Sequence, residues 1–318
     1  MRKLLALAAS GALALGAAAC GSDNNDNGSS GGGGKVSGTI KIDGSSTVGP
    51  FAQAAAEAFQ GENPDVKVSV GISGTGGGFE KFCAGETDIS DASRPIKPDE
   101  EAPVCKKKGI KYRQVQVAND GIAVVTNPAL KIDCMTTAEL KKLWNKGSTV
   151  KKYSEVNSKF PDTNVSLFGP DTDSGTFDFF TEKINGEEGV SRKEYQPSSD
   201  DNVLVQGVAG DDGGLGYFGF SYYEQNKDKL SLVGVDAGKG CVKPSTAAIQ
   251  NGTYAPLSRP LFMYPNEKSL AKPQVKAFLD YVLANYKSIS QTANIVPMTG
   301  TQYTAGKKEL KGAEAAAG

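Results

Sequence analysis

The sequence predicts an α/β fold with two domains, and two observations lead to this prediction. Short apolar runs alternate with helical patterns along most of the chain, an order that is typical of βαβ units. About 280 residues follow a polar N-terminal segment, which is too long a stretch for one hydrophobic core. No internal repeat is evident. We therefore expect two α/β domains.

The elements of these domains follow one another regularly, beginning with a βαβ unit. The last helix shows the clearest pattern, because its apolar residues from Val275 to Leu283 are spaced to form one face. The third predicted strand leads to a helix that begins at Thr136 or Thr137, either of which can cap it. We predict strands at 38–42, 66–72, 121–126, 165–168 and 260–264, and helices at 51–60, 137–145, 176–184 and 273–286.

The N-terminus has the pattern of an export signal. Two basic residues precede an apolar run at 4–19, which is too short to span a bilayer. The alanines before Cys20 resemble a bacterial lipobox, although they also fit cleavage by ordinary signal peptidase. We predict a signal peptide at 1–19 and a lipid anchor on Cys20, which place the protein on the outer face of the cell membrane. Residues 20–35 contain almost no apolar side chain, so we expect a flexible tether, a composition that any disordered N-terminus shares.

The chain has five cysteines, an odd number that requires an explanation in an exported protein. Lipidation of Cys20 leaves Cys83, Cys105, Cys134 and Cys241, which can pair in three ways. In an oxidising compartment we expect them to form disulfides. The alternative is a metal site, but the sequence has no histidine and no CxxC motif. We therefore expect neither a metal nor a cofactor.

The net charge limits the partners that the protein can bind. The formal charge is −1, and loss of the two basic residues of the signal makes the mature chain more negative. This balance argues against nucleic acid as a partner and against a strongly basic funnel for anions. If an anion binds, local geometry must hold it.

Three loops have the composition that binds such an anion. Each joins a predicted strand to a helix through Gly, Ser and Thr, at 43–50, 73–79 and 169–177. A helix N-terminus presents unpaired N–H groups and a partial positive charge, so it can bind an oxyanion without a basic side chain. The alternative is that these residues are ordinary caps and turns. No GxxxxGK[ST] motif is present, so nucleotide hydrolysis is not expected.

A fourth segment, at 88–96, adds charged side chains. Arg94 can bind two oxyanion oxygens through its planar guanidinium. Asp88 would repel an anion unless that anion donates a proton, which phosphate can do at neutral pH and sulfate cannot. The alternative is a surface turn in which Asp88, Asp91 and Arg94 form local ion pairs.

Together these motifs resemble the phosphate-binding proteins of bacterial phosphate-specific ABC transporters. The similarity extends over nearly all of the mature chain and is carried by IDGSSTVGPF, SGTGGGFEKFCAGETDISDASRPI, DTDSGTFDFF, GGLGYFGFSYY, GTYAPLSRPLFMY and VPMTGTQY. The resemblance implies the type II periplasmic-binding-protein fold, in which two lobes with mixed β-sheets flanked by helices are joined by a two-strand hinge. It also implies capture of inorganic phosphate in the cleft and delivery to a permease.

The resemblance implies roles for individual residues as well. Asp88 matches the acceptor for the phosphate proton. Many members have an arginine about four residues before the serine of the SGT motif, where this chain has Pro170, so Arg94 is expected to supply the charge. The residues expected to bind phosphate are Ser46, Thr47, Val48, Thr75, Gly76, Asp88, Arg94, Ser174, Gly175 and Thr176.

The resemblance also suggests the division of the chain. Lobe I is expected to comprise residues 36–119 plus 259–318, and lobe II residues 120–258. This division favours the pairs Cys83 with Cys105 and Cys134 with Cys241, since each pair then lies within one lobe.

The function that we expect is high-affinity phosphate binding by a monomer that docks on a permease. One alternative is a cell-surface phosphate sensor or a protein that binds another oxyanion. A secreted phosphatase is the other, but the sequence offers no histidine base, zinc ligand set or GxSxG motif. We therefore do not expect an enzyme.

Overall fold

A computed structural model describes residues 36–172 and 174–317, and it has the α/β architecture that the sequence predicts. The predicted signal peptide (1–19), Cys20 and the tether (20–35) lie outside the described residues. In chain order the elements are β1 (Gly38–Gly44), α1 (Gly49–Glu62), β2 (Val66–Ile72), α2 (Gly74–Ala84), β3 (Ile89–Ala92), α3 (Glu101–Lys107), β4 (Val115–Thr126), β5 (Cys134–Thr136), α4 (Thr137–Trp144), α5 (Tyr153–Val156), β6 (Ser166–Pro170), α6 (Gly175–Phe180), β7 (Gln196–Ser198), α7 (Asp201–Gly210), β8 (Gly214–Gly219), α8 (Phe220–Gln225), β9 (Ser231–Asp236), β10 (Cys241–Val242), α9 (Thr246–Gln250), β11 (Ser258–Pro265), α10 (Pro273–Ala284), α11 (Tyr286–Thr292) and α12 (Gly300–Ala317). A π-helical turn (Thr181–Asn185) continues α6, and a 3-10 turn (Glu267–Ala271) precedes α10.

Eight strands of the mixed sheet follow the order β2-β1-β3-β11-β4-β8-β6-β7, and β9, which pairs with β4, adds β5 and β10 to it. β1 is parallel to β2 and β3, while β11 lies antiparallel between β3 and β4. β4 pairs with β11 through residues 115–121 and with β8 and β9 through residues 122–126. This long strand therefore connects the two ends of the sheet.

Local sequence explains where several elements begin. Thr136 caps α4, because its hydroxyl accepts the N–H of Glu139 at 3.1 Å and the Glu139 carboxylate accepts the N–H of Thr136 at 2.7 Å. The helix predicted at 176–184 is present as α6 and the π-helical turn. α12 was not predicted from the sequence, because its 18 residues lack a continuous apolar face.

The apolar side chains gather in two large cores. The first contains residues of 40–118 and 261–310, and the second contains residues of 122–257 together with Val296. Val296 packs in the second core while Met298 packs in the first. The chain therefore passes between the cores within β4 and at the start of β11, and it reaches the second core again at Val296 before it returns to the first at Met298.

Two disulfides cross-link elements at the periphery of the fold. Cys83–Cys105 joins α2 to α3, and Cys134–Cys241 joins the starts of β5 and β10. These are the two pairs that the sequence favoured. Across the described parts of the chain, none of the helices combines the length and the apolar character needed to cross a bilayer.

Candidate functional site

A cavity of ≈ 470 Å³ opens at the carboxyl ends of β1, β2 and β3. The carboxyl ends of parallel strands lie at one edge of a sheet, so the loops that follow these strands come together. The start of β11 and the segment from α6 to residue 188 complete the wall. The residues that line it belong to 45–47, 73–77, 93–95, 175–188 and 258–260.

The loop after β1 is held by its own serine. Ser45 Oγ accepts the N–H groups of Thr47 at 3.2 Å and Val48 at 3.4 Å, and the Ser45 N–H donates to the carbonyl of Asp91 at 2.9 Å. Gly44 has a φ of 152°, and a Cβ there would collide with the carbonyl of Asp91. The side chains of Ser46 and Thr47 are thereby placed on the cavity wall.

The loop after β2 is tied to both neighbouring strands. Thr75 Oγ1 lies 3.1 Å from Ser93 Oγ and accepts the Ser93 N–H at 3.2 Å. Ser73 donates its hydroxyl to the Asp43 carboxylate, which also accepts Lys81 Nζ at 2.6 Å. Burial raises the pKa of Asp43, but the hydrogen bonds from Lys81 and Ser73 outweigh it, so this pKa lies below its ordinary value.

The loop before α6 reaches the cavity from the second core. Ser174 caps the helix by accepting the N–H of Thr176 at 3.2 Å. Gly175 approaches the first loop so closely that a Cβ there would collide with Ser46 Oγ and lie 3.0 Å from the backbone nitrogen of Thr47. Glycine is therefore the residue that allows this approach.

Arg94 lies on the wall but is already paired. Its guanidinium makes two hydrogen bonds to Glu101, at 2.7 and 2.9 Å, and its side chain is 33% exposed. The hydrogen bond to Glu101 raises the pKa of Arg94. Part of its positive charge is thus compensated before any anion arrives.

Arg259, at the start of β11, was missed by reasoning from the sequence. Its Nη2 donates to Thr47 Oγ1 at 2.6 Å and to the carbonyl of Gly175 at 3.2 Å, and its Nε donates to Asp120 at 3.2 Å. The guanidinium lies 3.8 Å from the centre of the Phe179 ring. Burial lowers its pKa, and the Asp120 charge opposes this shift.

One signal in the sequence could have identified Arg259. The tripeptide Ser-Arg-Pro occurs at 93–95 and again at 258–260, and all six residues line the cavity.

Acidic side chains also reach the cavity. Asp178, Glu182 and Glu188 line it together with Lys183. Burial raises the pKa of Asp178 to about 6, Glu188 adds to the shift and Arg259 opposes it. The cavity is therefore not a simple basic pocket.

Asp88 does not reach the cavity, which corrects the role predicted for it. Its carboxylate accepts the N–H of Lys41 at 2.9 Å, the Ser269 hydroxyl at 2.7 Å and Lys272 Nζ at 2.7 Å. Asp88 precedes β3 and Ser93 follows it, so an extended chain separates them by about 16 Å. Burial raises the pKa of Asp88, but the hydrogen bonds from Lys272, Lys41 and Ser269 lower it by more.

The structure brings six of the ten predicted residues to the cavity, namely Ser46, Thr47, Thr75, Gly76, Arg94 and Gly175. Val48 is fully buried and its N–H donates to Ser45. Ser174 and Thr176 flank Gly175 without lining the wall. Pro170 ends β6, and its carbonyl accepts the Tyr195 hydroxyl at 3.1 Å. Within 36–172 and 174–317, no three or more side chains gather that could hold a metal ion.

Known proteins match this chain over most of its length. The profile of the PBP superfamily domain matches residues 29–285. Protein SphX of Synechococcus elongatus is 45% identical over 275 residues, which are 86% of this chain and 81% of that protein. The phosphate-binding protein PstS of Staphylococcus saprophyticus is 42% identical over 281 residues, 87% of this chain and 86% of that protein.

Solved structures show the same relationship. A possible phosphate binding protein from Planctomyces limnophilus has a TM-score of 0.82 and 47% identity, covering 88% of this chain and 99% of its own. A protein from Clostridium perfringens, assigned as the substrate-binding protein of a phosphate ABC transporter and solved with bound phosphate, has a TM-score of 0.58 and 26% identity. It covers 82% of this chain and 100% of its own.

Proposed function

This chain belongs to the PBP superfamily and, within it, to the family of phosphate-binding proteins, and from this premise we propose that it captures inorganic phosphate for an ABC transporter. The fold is that of the type II periplasmic phosphate-binding proteins. Members of this family bind and release their substrate without converting it, so the protein is not an enzyme. A sensor, a phosphatase and a receptor for another oxyanion are not favoured.

The position that we assign to phosphate rests on one observation. Arg259 contacts Thr47, which belongs to the loop after β1, and Gly175, which is the first residue of α6. A buried guanidinium thus joins both sides of the cavity at the place where their hydroxyl and amide groups converge. We assign phosphate to this place, with Ser46, Thr47, Thr75, Gly76, Arg94, Gly175 and Arg259 as its surroundings.

Neutral donors supply much of the affinity in this proposal. The N-termini of α1 and α2, helices of 14 and 11 residues, follow the loops that line the cavity. The partial positive charge at a helix N-terminus favours an anion. This arrangement suits a mature chain with no excess of basic residues.

Movement of two lobes explains how the anion enters and leaves. The predicted lobes are residues 36–119 plus 259–318, and residues 120–258. The two cores support this division, and the close approach of Gly175 to Ser46 and Thr47 is the contact that a closed state requires. Opening separates these loops and releases phosphate to the permease.

The protein works outside the cytoplasm, as phosphate-binding proteins of this family do. The signal at 1–19, the lipid on Cys20 and the tether to residue 35 complete the proposal of a monomer held at the membrane. Mass spectrometry of the mature N-terminal peptide tests the anchor. Diacylglycerol on Cys20 supports it, and an unmodified N-terminus contradicts it.

Calorimetry with phosphate, arsenate, sulfate and molybdate tests the function. We expect one phosphate per chain, bound tightly, and sulfate bound far more weakly. Absence of phosphate binding would overturn the proposal. A chromogenic phosphomonoester provides the second test, because sustained release of its product would indicate a phosphatase.

A further inference from the structure

A strongly basic surface lies outside the cavity, on the part of the molecule that the first core supports. Residues 106–113 read KKKGIKYR, which is five basic side chains in eight residues with no acidic one. The chain as a whole has a formal charge of −1, so this run concentrates positive charge locally. Lys268 adjoins it, because the N–H of Glu267 donates to the carbonyl of Lys111 at 2.9 Å. We call this surface the basic edge, and its residues are Lys106, Lys107, Lys108, Lys111, Arg113 and Lys268.

The ordinary roles of basic residues account for only part of the basic edge. Two of its lysines lie in the last turn of α3, where a positive charge is favourable at a helix C-terminus. Arg113 pairs with the buried Glu267 at 3.0 Å. The remaining lysines lie beyond α3, and none of them forms an ion pair within the part of the chain that the structure describes. Glu86 is exposed just before β3 and can offset one charge, so most of the positive charge is uncompensated.

An apolar groove lies beside these charges. It is a cavity of ≈ 570 Å³, and its walls combine lysine with proline, alanine, isoleucine and tyrosine side chains: Pro98, Ala102, Pro103, Lys106, Ile110, Lys111 and Tyr112. Val104, on α3, is 49% exposed. The disulfide between Cys83 and Cys105 joins α3 to α2 and so fixes the helix that carries this surface. Lysines beside apolar and aromatic side chains suit the boundary between lipid headgroups and acyl chains.

The basic edge lies at the end of the sheet where the described chain enters the fold. β1 begins at Gly38 and runs parallel to β2 and β3. β11 lies antiparallel between β3 and β4, so β4 runs in the same direction and also begins at this edge, directly after residues 106–113. Three strand spacings, or about 14 Å, separate β1 from β4. A fully extended chain as long as the proposed tether at 20–35 spans at most about 55 Å, so a lipid on Cys20 keeps the basic edge close to the bilayer.

We propose that the basic edge binds the anionic lipid surface of the membrane in which the chain is anchored. The inference rests on the proposed function, because it needs the lipid on Cys20. Lysines close to an anionic bilayer are attracted to it, and the exposed apolar side chains beside them can enter the headgroup layer.

The position of the basic edge decides how the molecule is oriented on the membrane. The cavity lies at the carboxyl ends of β1, β2 and β3, and the basic edge lies at their amino ends. The seven residues of β1 separate the two by about 20 Å. Charges act over about 10 Å at moderate ionic strength, so the basic edge does not serve the cavity as a funnel for phosphate. The bound lipid surface instead leaves the cavity on the side that faces away from the bilayer.

The test uses the purified, lipidated full chain in two kinds of vesicle, one of phosphatidylcholine alone and one that also contains the anionic lipid phosphatidylglycerol. An amine reagent that does not cross membranes modifies exposed lysines, and mass spectrometry gives the rate at each. We expect Lys111 and Lys268 to react at least fivefold more slowly on the anionic vesicles at low salt. The difference should disappear at about 0.5 M salt, where charges are screened within a few ångströms.

A pair of triple variants separates the basic edge from general charge. K106Q/K107Q/K108Q leaves Lys111 and Lys268 as reporters, and we expect their protection on anionic vesicles to fall below twofold. K227Q/K229Q/K239Q is the matched control, since it removes the same charge from exposed lysines of the part that the second core supports. Its protection should equal that of the wild-type chain, and the phosphate Kd should be unchanged in both variants.

Each other outcome counts against the proposal. Equal labelling on the two kinds of vesicle overturns it, and so does an equal loss of protection in the control variant. Equal protection by free inorganic phosphate without vesicles would show a general anion site instead of a lipid surface. A chain that does not stay on the vesicles refutes the lipid anchor and this inference with it. Calorimetry with phosphate on the same sample reports separately on the proposed phosphate binding.

Discussion

The two Ser-Arg-Pro tripeptides line the same cavity, yet their arginines have different surroundings. Arg94 is 33% exposed and bound to Glu101 by two hydrogen bonds. Arg259 is 11% exposed, contacts Asp120 through Nε and keeps Nη2 for Thr47 and Gly175. Arg94 therefore lies at the rim of the cavity, whereas Arg259 contacts residues on both of its sides.

The difference shows that the motif alone does not determine the role of an arginine. Arg94 follows β3, where the adjoining helix α3 supplies a carboxylate that faces its whole guanidinium. Arg259 lies at the start of β11, where the chain leaves the second core and enters the first. Its side chain can therefore contact loops that belong to both cores. We expect the functional effects of substitutions to follow this division.

Loss of Arg259 should have the largest effect. R259Q removes the guanidinium that joins Thr47 to Gly175 and leaves the Asp120 carboxylate without its partner. We expect the phosphate Kd to rise about 100-fold or more, about 3 kcal/mol, since loss of one partner of a buried charge pair in a binding site has a cost of this size. Calorimetry measures the change.

R259K is the control, because it retains the charge and loses the planar geometry; we expect an intermediate Kd. Thermal unfolding of both variants separates loss of binding from loss of the fold. A folded R259Q protein with wild-type affinity would show that Arg259 has no part in the site.

Substitution of Gly175, where the two sides of the cavity approach each other, should have the next largest effect on phosphate affinity. In G175A the added Cβ would lie 2.5 Å from Thr47 Oγ1 and collide with Ser46 Oγ. Overpacking of this kind costs about 1–3 kcal/mol, so we expect a phosphate Kd about 10- to 100-fold higher. In the proposed open state the two loops are separated, so thermal stability without phosphate should change less than affinity.

G61A is the matched substitution for comparison. Gly61 is exposed in the last turn of α1, and a Cβ there meets nothing within 4 Å. We expect unchanged affinity and a stability gain of up to about 1 kcal/mol, because alanine favours a helix more than glycine does. Wild-type affinity in G175A would mean that the two loops do not need to approach this closely.

Loss of Arg94 should have a smaller effect than loss of Arg259. R94Q removes a side chain that is one-third exposed and compensated by Glu101. We expect the phosphate Kd to rise at most about tenfold, or about 1.4 kcal/mol, because solvent screens a group at the rim. Calorimetry of R94Q and R259Q in one buffer compares their phosphate Kd values. An equal rise of the Kd in both variants would show that the two arginines do not differ in their importance for binding.

Much of the fold and part of the site could be predicted from the sequence, for physical reasons that differ between residues. The loops at 43–50 and 73–79 follow parallel strands, so local composition and strand order together indicate that they meet. Arg259 acts through contacts with Thr47, 212 residues away, and no local pattern reports such a contact. Asp88 is near Ser93 in sequence but does not line the cavity, because the extended strand between them places their side chains far apart.

Substitution of Asp88 should change phosphate affinity least of all, but it should lower the stability of the fold measurably. In D88N the phosphate Kd should stay within twofold of the wild-type value, because the side chain lies at the other end of β3 from Ser93. The free energy of unfolding should fall by about 1–3 kcal/mol at pH 7, because the backbone N–H of Lys41, the hydroxyl of the buried Ser269 and the cation of Lys272 lose a carboxylate.

The pH dependence of this difference follows from the lowered pKa of Asp88. A carboxylate with a lower pKa in the folded state contributes stability above its ordinary value of 3.8, and that contribution disappears as the pH falls through the folded-state pKa. Urea unfolding of the wild-type protein and D88N should therefore show curves that converge below pH 3.8. If D88N instead admits sulfate at neutral pH, the Asp88 carboxylate acts on the anion in addition to its contacts with Ser269 and Lys272.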